Sequence, residues 1–371
     1  MKVLCITKYL SPYRADFFNE LGKYIDLDVV LEQNIEKQKH RNPQWFNNSI
    51  ESFSVIPIKG FSLLGKVINP GIVNLIAKKN YDIVLVHGYA SLTEIISILS
   101  LRIFKIPFFI QIDGVLYSEE KKIKDLIKKK LFKGNTKFIV TGNHTKEYLE
   151  KFSVDTKRIY FCPFSSLRDT EVLANSLSPE QKKKIRNDLK IIEDKVIVSV
   201  GQFIHGKGFD VLMNACKNID SSVGVYIIGG KPTAEYIDLK EKLKLKNVKF
   251  VDFKKKNELI EYYKLADLFV FPTRGDVWGL VVNEAMAQGL PVVTTDKCVA
   301  GLDLIEDDVN GYIVPVNNST IMSEKINYIL SNQRVREKMA ENNLTKIKRY
   351  TIEEMVKKHL VIFNESLKNE S

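Results

Sequence analysis

Two carboxylates, Asp276 and Glu284, stand with seven residues between them on either side of a predicted helix start. Gly279, Leu280 and Val281 would open that helix, so their amides lack intrahelical partners and are able to hold an anion such as a diphosphate. Carboxylates beside a phosphate repel it unless they face hydroxyl groups. This segment therefore predicts a site for a phosphorylated ligand whose sugar and ribose hydroxyls meet the two acids.

Two further glycine loops accompany this segment in the second half of the chain. One begins at Gly201, where an apolar run ends, and carries Lys207, which is placed to neutralise a diphosphate. Neither Gly208 nor Phe209, the two residues after Lys207, is the Ser or Thr of a Walker-type phosphate loop, so that motif is excluded. The other loop is Gly229-Gly230. Each glycine loop alone is a weak signal, but the three in this order are specific.

Short apolar runs that alternate with amphipathic stretches must position these loops. The predicted strands of the first half are Val3–Ile6, Leu27–Leu31, Tyr81–Val86, Pro107–Ile112, Lys137–Val140 and Ile159–Cys162. Those of the second half are Lys195–Val200, Val225–Ile228, Val248–Val251, Leu268–Phe271 and Pro291–Thr294. Strands that are apolar on both faces and separated by helices indicate parallel sheets covered on both sides. The predicted fold class is α/β, with two doubly wound halves and a ligand cleft.

Length and composition agree with two ordinary globular domains. The chain has 371 residues, of which 44% are hydrophobic and 27% charged, and this excludes a wholly disordered protein. Its four cysteines stand far apart, which argues against a disulfide framework or a cysteine zinc site. The polar segment 176–194 follows the predicted interdomain linker. The predicted domains are therefore residues 1–175 and 176–340.

Positive charge is concentrated in the first half. The net charge is +11, and the first 175 residues carry 26 basic and 18 acidic side chains. Residues 119–137 alone hold eight lysines and form a predicted amphipathic helix. Its apolar residues fall on one face: Ile123, Leu126, Ile127 and Leu131. Such a helix either lies on anionic lipid or covers the core of its domain with that face, and the sequence leaves both readings open.

Three other classes of protein are disfavoured. No basic–aromatic interleaving or nucleic-acid module is present, so we expect no nucleic-acid partner. The first strand leads into Tyr9-Leu10-Ser11-Pro12 rather than a glycine-rich dinucleotide motif, which argues against a dehydrogenase. Residues 92–110 contain three charged residues and a proline, so they predict a helix and a strand rather than a membrane span. With no secretory signal at the N-terminus, we expect a cytoplasmic protein, peripheral on the inner face of the cell membrane.

The run Gly-Leu-Val-Val-Asn-Glu-Ala-Met-Ala-Gln-Gly-Leu-Pro-Val-Val at residues 279–293 resembles the hallmark of the retaining glycosyltransferases of family 4. In that family, a second acid precedes the glutamate of this run with seven residues between them, as Asp276 precedes Glu284. The resemblance covers nearly the whole chain and is strongest after residue 195. It implies the GT-B fold, with two Rossmann-like domains facing a central cleft. It also implies that residues 341–371 form a helical segment that returns to the N-terminal domain.

The resemblance implies roles for the donor-site residues. Glu284 would hold the ribose of a nucleotide sugar, Asp276 would face the donor sugar, and Lys207 with the amides of the helix start would hold the diphosphate. The predicted donor-binding set is Gly201, Gln202, Lys207, Gly229, Gly230, Gly279, Leu280, Val281 and Glu284. The chain departs from the family in having Asp276 where Glu is usual and Gln202 where Arg is frequent.

On the acceptor side, the first-domain residues Tyr13, Arg14 and His87 lie at predicted strand ends. Asp113 replaces a frequent histidine of the family at the end of the fourth strand, and we predict it to be catalytic together with Asp276 and Lys207. Surface or core positions without a role in binding are the alternative for Tyr13, Arg14 and His87.

The activity implied is retaining transfer of a sugar to a saccharide or lipid-linked acceptor, in the synthesis of a capsule, O-antigen or glycolipid. The donor expected first is a UDP-sugar, with no cofactor and no metal, because Lys207 and the helix start would hold the leaving diphosphate. Two alternatives remain. A nucleotide-sugar epimerase shares this architecture, and a non-catalytic sugar-nucleotide-binding subunit is the other reading, for which Gln202 and Asp113 would be the signs.

Overall fold

A computed structural model provides the structure, which describes residues 1–33, 49–63, 66–78, 81–116 and 122–368. The chain divides into two compact units. Unit 1 comprises residues 1–166 and 351–371, and unit 2 comprises residues 167–350. These limits lie nine to ten residues away from the predicted boundaries at 175 and 340.

Unit 1 is built on a seven-stranded parallel sheet. In chain order its elements up to residue 166 are β1 (Lys2–Thr7), α1 (Pro12–Gly22), β2 (Asp26–Leu31), β3 (Ser54–Val55), β4 (Phe61–Leu63), β5 (Lys66–Ile68), α2 (Gly71–Ala77), β6 (Ile83–His87), α3 (Leu92–Phe104), β7 (Phe108–Ile112), α4 (Lys122–Phe132), β8 (Lys137–Val140), α5 (Asn143–Glu150) and β9 (Ile159–Phe161). The sheet order is β3-β2-β1-β6-β7-β8-β9, and β4 and β5 form a separate antiparallel pair. Strands β1, β6 and β7 are almost completely buried, as expected for a sheet covered on both faces.

Unit 2 is built on a six-stranded parallel sheet. Its elements are α6 (Pro179–Asp188), β10 (Lys195–Val200), α7 (Phe209–Ala215), β11 (Val223–Ile228), α8 (Ala234–Lys242), β12 (Val248–Val251), α9 (Lys256–Leu265), β13 (Leu268–Phe271), α10 (Leu280–Ala287), β14 (Val292–Thr295), α11 (Val299–Leu304), β15 (Gly311–Val314), α12 (Ser319–Ser331) and α13 (Gln333–Ile347). The order β12-β11-β10-β13-β14-β15 is that of a doubly wound sheet. The final helix, α14 (Ile352–Lys368), belongs to unit 1, where it packs on α1.

The boundary between the units precedes the predicted linker because residues 167–175 are tied to unit 2 by hydrogen bonds. The amide of Leu173 donates to the carbonyl of Ala287 at 3.0 Å. Gln288 Nε2 donates to the carbonyl of Glu171 at 2.8 Å. Both bonds join residues that are far apart in the sequence, so the local composition of the linker did not reveal them.

Helix α4 forms within the predicted lysine-rich segment, whose residues 119–121 lie outside the described part of the chain. Leu131 is buried as a core residue of the predicted apolar face, but Leu126 and Ile127 are exposed. The predicted apolar face is therefore divided between the core and the surface. Residues 92–110 form α3 and most of β7, and no helix in the described ranges is long and apolar enough to cross a bilayer.

Candidate functional site

The glycine loops of unit 2 lie at the point where its sheet changes winding direction. From β10 the chain proceeds to β11 and β12 on one side, and from β13 it proceeds to β14 and β15 on the other. Such a switch point leaves a crevice beyond the carboxyl ends of the two central strands. Lys207 follows β10 in a short 3₁₀ turn, and Asp276 follows β13. The fold thereby brings the two predicted motifs to one edge of the sheet.

Two positions around this crevice require glycine, one because two backbone segments approach closely and the other because the backbone has a positive φ. A Cβ atom on Gly229 would lie 1.7 Å from the carbonyl oxygen of Gly201, so any larger residue would separate these two loops. Gly279 has a φ of +100°, in the left-handed region that side chains disfavour. Gly201 and Gly229 thus allow two of the predicted loops to approach each other closely, and Gly279 provides the left-handed conformation that the third loop requires.

Lys207 and Asp276 form an ion pair at this crevice. Lys207 Nζ lies 2.6 Å from Asp276 Oδ2, and it also stands 5.1 Å from the ring centre of Phe271. The other oxygen, Asp276 Oδ1, accepts from the amide of Trp278 at 3.3 Å. Each side chain of the pair is about one-fifth exposed, at 22% and 21%. The predicted phosphate cation and the predicted sugar-binding acid are therefore direct neighbours.

Helix α10 begins immediately after Gly279, and no side chain among the described residues caps it. The amides of Leu280 and Val281 are consequently available to an anion at the positive end of the helix, whereas Val282 already donates to the carbonyl of Gly279 at 2.9 Å. Glu284 lies one turn further along, where its Oε2 accepts from the hydroxyl of Tyr263 at 3.1 Å. Burial, and then the charge of Glu284, raise the pKa of Tyr263 well above its usual range, so Tyr263 remains a donor to Glu284.

Arg274 and Asp210 support the Lys207 loop, and the sequence reasoning missed them. Arg274 donates from Nη1 and Nη2 to the two oxygens of Asp210, at 2.8 and 2.6 Å, and from Nη1 to the carbonyl of His205 at 2.7 Å. This fork ties the loop after β13 to the loop that carries Lys207. The sequence could have pointed to these two residues through their position, because Arg274 and Asp210 each lie within three residues of a predicted site residue.

The acceptor-side residues predicted in unit 1 also meet at a switch point, between β1 and β6. Arg14 at the start of α1 contacts His87 Nδ1 through Nη1 at 2.5 Å, and its Nη2 pairs with Asp113 Oδ2 at the end of β7. The guanidinium carbon of Arg14 lies 5.8 Å from the ring centre of Tyr13, which packs edge-on against Phe164. These four predicted residues form one cluster, which we call the Arg14 cluster.

His87 is the buried member of the Arg14 cluster. Burial, followed by the charge of Arg14, lowers its pKa well below the usual range, so the ring is neutral. Since Nδ1 accepts from Arg14, the single ring proton lies on Nε2. That atom is buried and has no hydrogen-bond partner among the described residues. A buried donor without a partner is costly unless a ligand supplies one.

Among the described residues, no group of three or more His, Cys, Asp or Glu side chains is arranged to hold a metal ion. The four cysteines are buried free thiols. Burial raises the pKa of Cys298, which lies beside Gly279, to about 12, so this thiol stays protonated at neutral pH.

Comparison with known proteins finds a family model that matches unit 2. The sequence model described as glycosyl transferases group 1 matches residues 181–346. This match lies within unit 2 and covers less than half of the chain, so it shows a likeness of that unit to the group 1 glycosyl transferases. The family resemblance in residues 279–293 is thus confirmed at the level of group 1, and the matched range contains both Lys207 and the predicted donor motif.

Curated relatives and solved structures extend the comparison. The chain is 28% identical over 248 residues to the capsular polysaccharide biosynthesis glycosyltransferase CapM of Staphylococcus aureus, covering 66% of this chain and 58% of CapM. It is 19% identical over 324 residues to the N,N'-diacetylbacillosaminyl-diphospho-undecaprenol alpha-1,3-N-acetylgalactosaminyltransferase of Campylobacter jejuni, covering 85% and 83%. The chain spans about half the length of most curated relatives that it matches.

Structural similarity extends over both units. The crystal structure of Anabaena Alr3699/HepE in complex with UDP has a TM-score of 0.79 at 17% identity, covering 98% of this chain and 100% of that chain. At that identity the likeness shows the fold alone. The predicted fold class, an α/β protein of GT-B type with two Rossmann-like domains, is confirmed.

Proposed function

We propose that this chain is a group 1 glycosyl transferase, which moves a sugar from a nucleotide-diphosphate sugar to a saccharide or lipid-linked acceptor in surface polysaccharide synthesis. The observation that carries the proposal is the Lys207–Asp276 pair at the unit 2 switch point, beside the uncapped start of α10. It combines a cation for phosphate with an acid for hydroxyl groups. The named activities of the CapM and Campylobacter relatives, and the UDP bound to HepE, support a UDP-sugar donor and an acceptor of this class.

The donor would occupy the crevice as follows. The first-turn amides of α10 and Lys207 hold the diphosphate, and the glycine loops let its oxygens approach the backbone closely. Asp276 accepts from hydroxyls of the transferred sugar, while Glu284 accepts from the ribose. Gln202, exposed beside Gly201, contacts the phosphates without adding charge. Lys207 is then the cation that exchanges its contact with Asp276 for one with the leaving phosphate.

Retention of anomeric configuration, and turnover without metal, form the mechanistic part of the proposal. The acceptor hydroxyl would form its bond to the anomeric carbon on the face from which the diphosphate leaves. The departing phosphate oxygen takes the hydroxyl proton, so no separate protein base is needed. Lys207 and the α10 amides stabilise the charge that develops on the diphosphate, which is where preorganised donors contribute most to rate.

For the acceptor we propose the Arg14 cluster of unit 1. His87 Nε2 supplies a buried donor that lacks a partner in the described structure, and Asp113 supplies a carboxylate that is about one-fifth exposed. A donor and an acceptor side by side match a sugar hydroxyl, which both accepts and donates.

Unit 1 also offers a surface for an anionic lipid bilayer. Leu99 and Ile103 of α3, and Leu126 and Ile127 of α4, are exposed apolar side chains, with Ile103 at 75%. Arg102 of α3 donates to the backbone carbonyls of Lys130 and Lys133, which joins the ends of the two helices. Four exposed lysines lie in α4 or directly after the ends of α3 and α4: Lys105, Lys129, Lys130 and Lys133. We propose that this face docks the protein peripherally on the inner face of the cell membrane.

Lys128 does not belong to that surface. The sequence alone groups it with its neighbouring lysines, but its Nζ donates to the hydroxyl of Tyr148 at 2.7 Å and stands over three aromatic rings. Replacing Lys128 would therefore damage the fold of unit 1. The charge test should leave it in place.

Vesicle co-sedimentation tests the membrane surface. Changing Lys129, Lys130 and Lys133 to Glu should reduce binding to phosphatidylglycerol vesicles and remove its salt sensitivity. The matched control changes the same number of exposed lysines on α6 and the segment after it: Lys183, Lys184 and Lys190. Equal binding of the two triple variants would show that the effect is net charge and would refute a docking surface.

The activity itself is tested in two steps. Nucleotide diphosphates and their sugars are first ranked by thermal shift, because a ligand at 100 times its Kd stabilises the fold by about 2.7 kcal/mol. The best donor is then incubated with and without candidate acceptors. A new glycoside with retained configuration supports the proposal. An altered free nucleotide sugar without acceptor would indicate an epimerase, and tight binding without turnover would indicate a non-catalytic subunit.

A further inference from the structure

A buried line of side chains leads from the Arg14 cluster to the last helix of the chain. Gln111 Nε2 donates to Asp113 Oδ1 at 3.0 Å, and Gln111 Oε1 lies 2.9 Å from His359 Nε2. His359, on α14, is completely buried and Gln111 is 3% exposed. Both belong to unit 1, although 248 residues separate them in the sequence.

The direction of each hydrogen bond in this chain of side chains follows from which groups carry a proton to donate. The carboxylate of Asp113 only accepts, so the amide nitrogen of Gln111 faces it. The oxygen of Gln111 then faces His359 and requires a proton on Nε2. Burial lowers the pKa of His359 to about 4, so the neutral ring carries one proton at physiological pH. With that proton on Nε2, His359 Nδ1 is left to accept from the thiol of Cys162 at 3.2 Å, and it also lies 2.8 Å from the carbonyl oxygen of Met355.

We infer that His359 is a positioning residue that orients Asp113 through Gln111. Gln111 holds Oδ1 of the carboxylate and Arg14 holds Oδ2, so both oxygens are fixed from the protein side. The remaining lone pairs then point in a defined direction toward the acceptor hydroxyl. The inference rests on the proposed function, in which Asp113 receives that hydroxyl.

Packing alone does not account for a histidine at position 359. Its ring lies between Phe17 and Phe363, with centroids 4.8 and 5.7 Å away, a setting that suits phenylalanine equally well. Burying two ring nitrogens is unfavourable unless both find partners. The polar atoms of His359 therefore have a use that the surrounding aromatic rings do not explain.

The matched variants are His359→Phe and His359→Gln. Phenylalanine keeps the ring and removes the donor, whereas glutamine keeps an amide donor near the position of Nε2. We expect His359→Phe to lower kcat on the order of tenfold with the donor KM unchanged, because small displacements of a positioned group slow the reaction strongly. His359→Gln should restore most of that loss. In a Gln111→Leu background, His359→Phe should have no further effect on kcat.

Phe363→Leu is the packing control, since it loosens the same aromatic cluster without touching the hydrogen bonds. It should lower the melting temperature at least as much as His359→Phe while kcat stays at the wild-type value. If the two variants lower kcat equally, His359 acts only through stability and the inference is wrong.

A measurement without turnover separates this inference from the proposed function. In ¹⁵N-histidine NMR spectra, His359 should carry a proton on Nε2, and the ring signals of His87 should move in His359→Phe and return in His359→Gln. An unprotonated Nε2, with Nδ1 donating instead to the Met355 carbonyl 2.8 Å away, would overturn the inference. If no donor and acceptor pair yields a product while these signals behave as expected, the proposed function fails and the positioning role stands.

Discussion

Each unit places a cation–carboxylate pair near the switch point of its parallel sheet, yet the surroundings of the two pairs differ. In unit 2, Lys207 follows β10 and pairs with Asp276, which follows the neighbouring strand β13. In unit 1, Arg14 lies at the start of the helix that follows β1, and it pairs with Asp113, which follows β7. The first pair is surrounded by glycine loops and helix amides, and the second by side chains that are themselves held by buried side chains.

If unit 2 binds the donor and unit 1 the acceptor, as we propose, this difference suits each unit to its own ligand. Backbone amides on a glycine-rich surface admit phosphate oxygens closely and bind any ligand that carries them. Side chains fixed by second partners, as Asp113 is by Gln111 and Arg14, define the direction of individual hydrogen bonds. Unit 2 is therefore suited to holding a common diphosphate, and unit 1 to selecting a particular hydroxyl.

Removal of Lys207 should have the largest effect. Lys207→Ala takes away the side-chain cation of the crevice, so kcat/KM should fall about a thousandfold and the affinity for UDP should fall with it. Calorimetry and steady-state kinetics measure both quantities. Lys249→Ala, at an exposed position on the edge strand β12, is the matched control. A loss of less than tenfold would mean that the amides of α10 hold the diphosphate alone.

Asp276→Asn should separate binding from turnover. The change frees Lys207 from its counter-charge, so UDP should bind more tightly, while kcat should fall about a hundredfold because contacts to the reacting sugar are lost. Asp276→Glu, which restores the usual family residue with one more methylene, should also lower kcat or change the sugar preference. Asp113→Asn is the unit 1 counterpart and should leave UDP affinity unchanged. An unchanged kcat in Asp276→Asn would remove Asp276 from the sugar site.

Glu284→Gln should weaken binding rather than chemistry. Ribose does not react, so loss of a charged hydrogen bond should cost ~1.5–3 kcal/mol of donor affinity with little change in kcat. The donor Kd from calorimetry measures this. Glu258→Gln, on the exposed face of α9, should have no effect. A drop in kcat without a change in Kd would place Glu284 at the transferred sugar instead.

Chelation should have the smallest effect. If Lys207 and the α10 amides neutralise the leaving diphosphate, turnover should persist in excess EDTA. The assay follows product formation with and without added magnesium or manganese. Loss of turnover in EDTA, with recovery on addition of either ion, would contradict the proposed metal-free mechanism.

The elements of the donor site were largely predictable from sequence because their signals are local. Strands β10, β12 and β13 match the predicted bounds, since each is a mainly apolar run that is followed directly by a turn-forming residue, Gly201, Asp252 or Pro272. The run after β13 likewise predicts the start of α10 at Leu280. In contrast, β15 (Gly311–Val314) was not predicted, because it begins at a glycine and is followed directly by Pro315, and both residues are typical of turns.

The contacts between side chains that are far apart in the sequence could not be predicted from it. Lys207 and Asp276 were assigned separate partners, and their contact became visible only when the order of β10 and β13 was known. Gln111 and His359 lie in an apolar strand and an amphipathic helix, where neither has a motif. Contacts across 248 residues depend on how helices return to a sheet, which no local pattern encodes.

The return of α14 to unit 1 has a consequence for the order of folding during synthesis. Residues 1–166 leave the ribosome first, but they lack the helix that covers Phe17 and Phe109 until residues 352–368 follow. Unit 2 is continuous in sequence, so we expect it to complete its core while unit 1 is still open. Pulsed hydrogen exchange on stalled nascent chains should show protection of β10 and β13 before β1 and β7. The Arg14 cluster would then gain its buried support only after the donor site has formed.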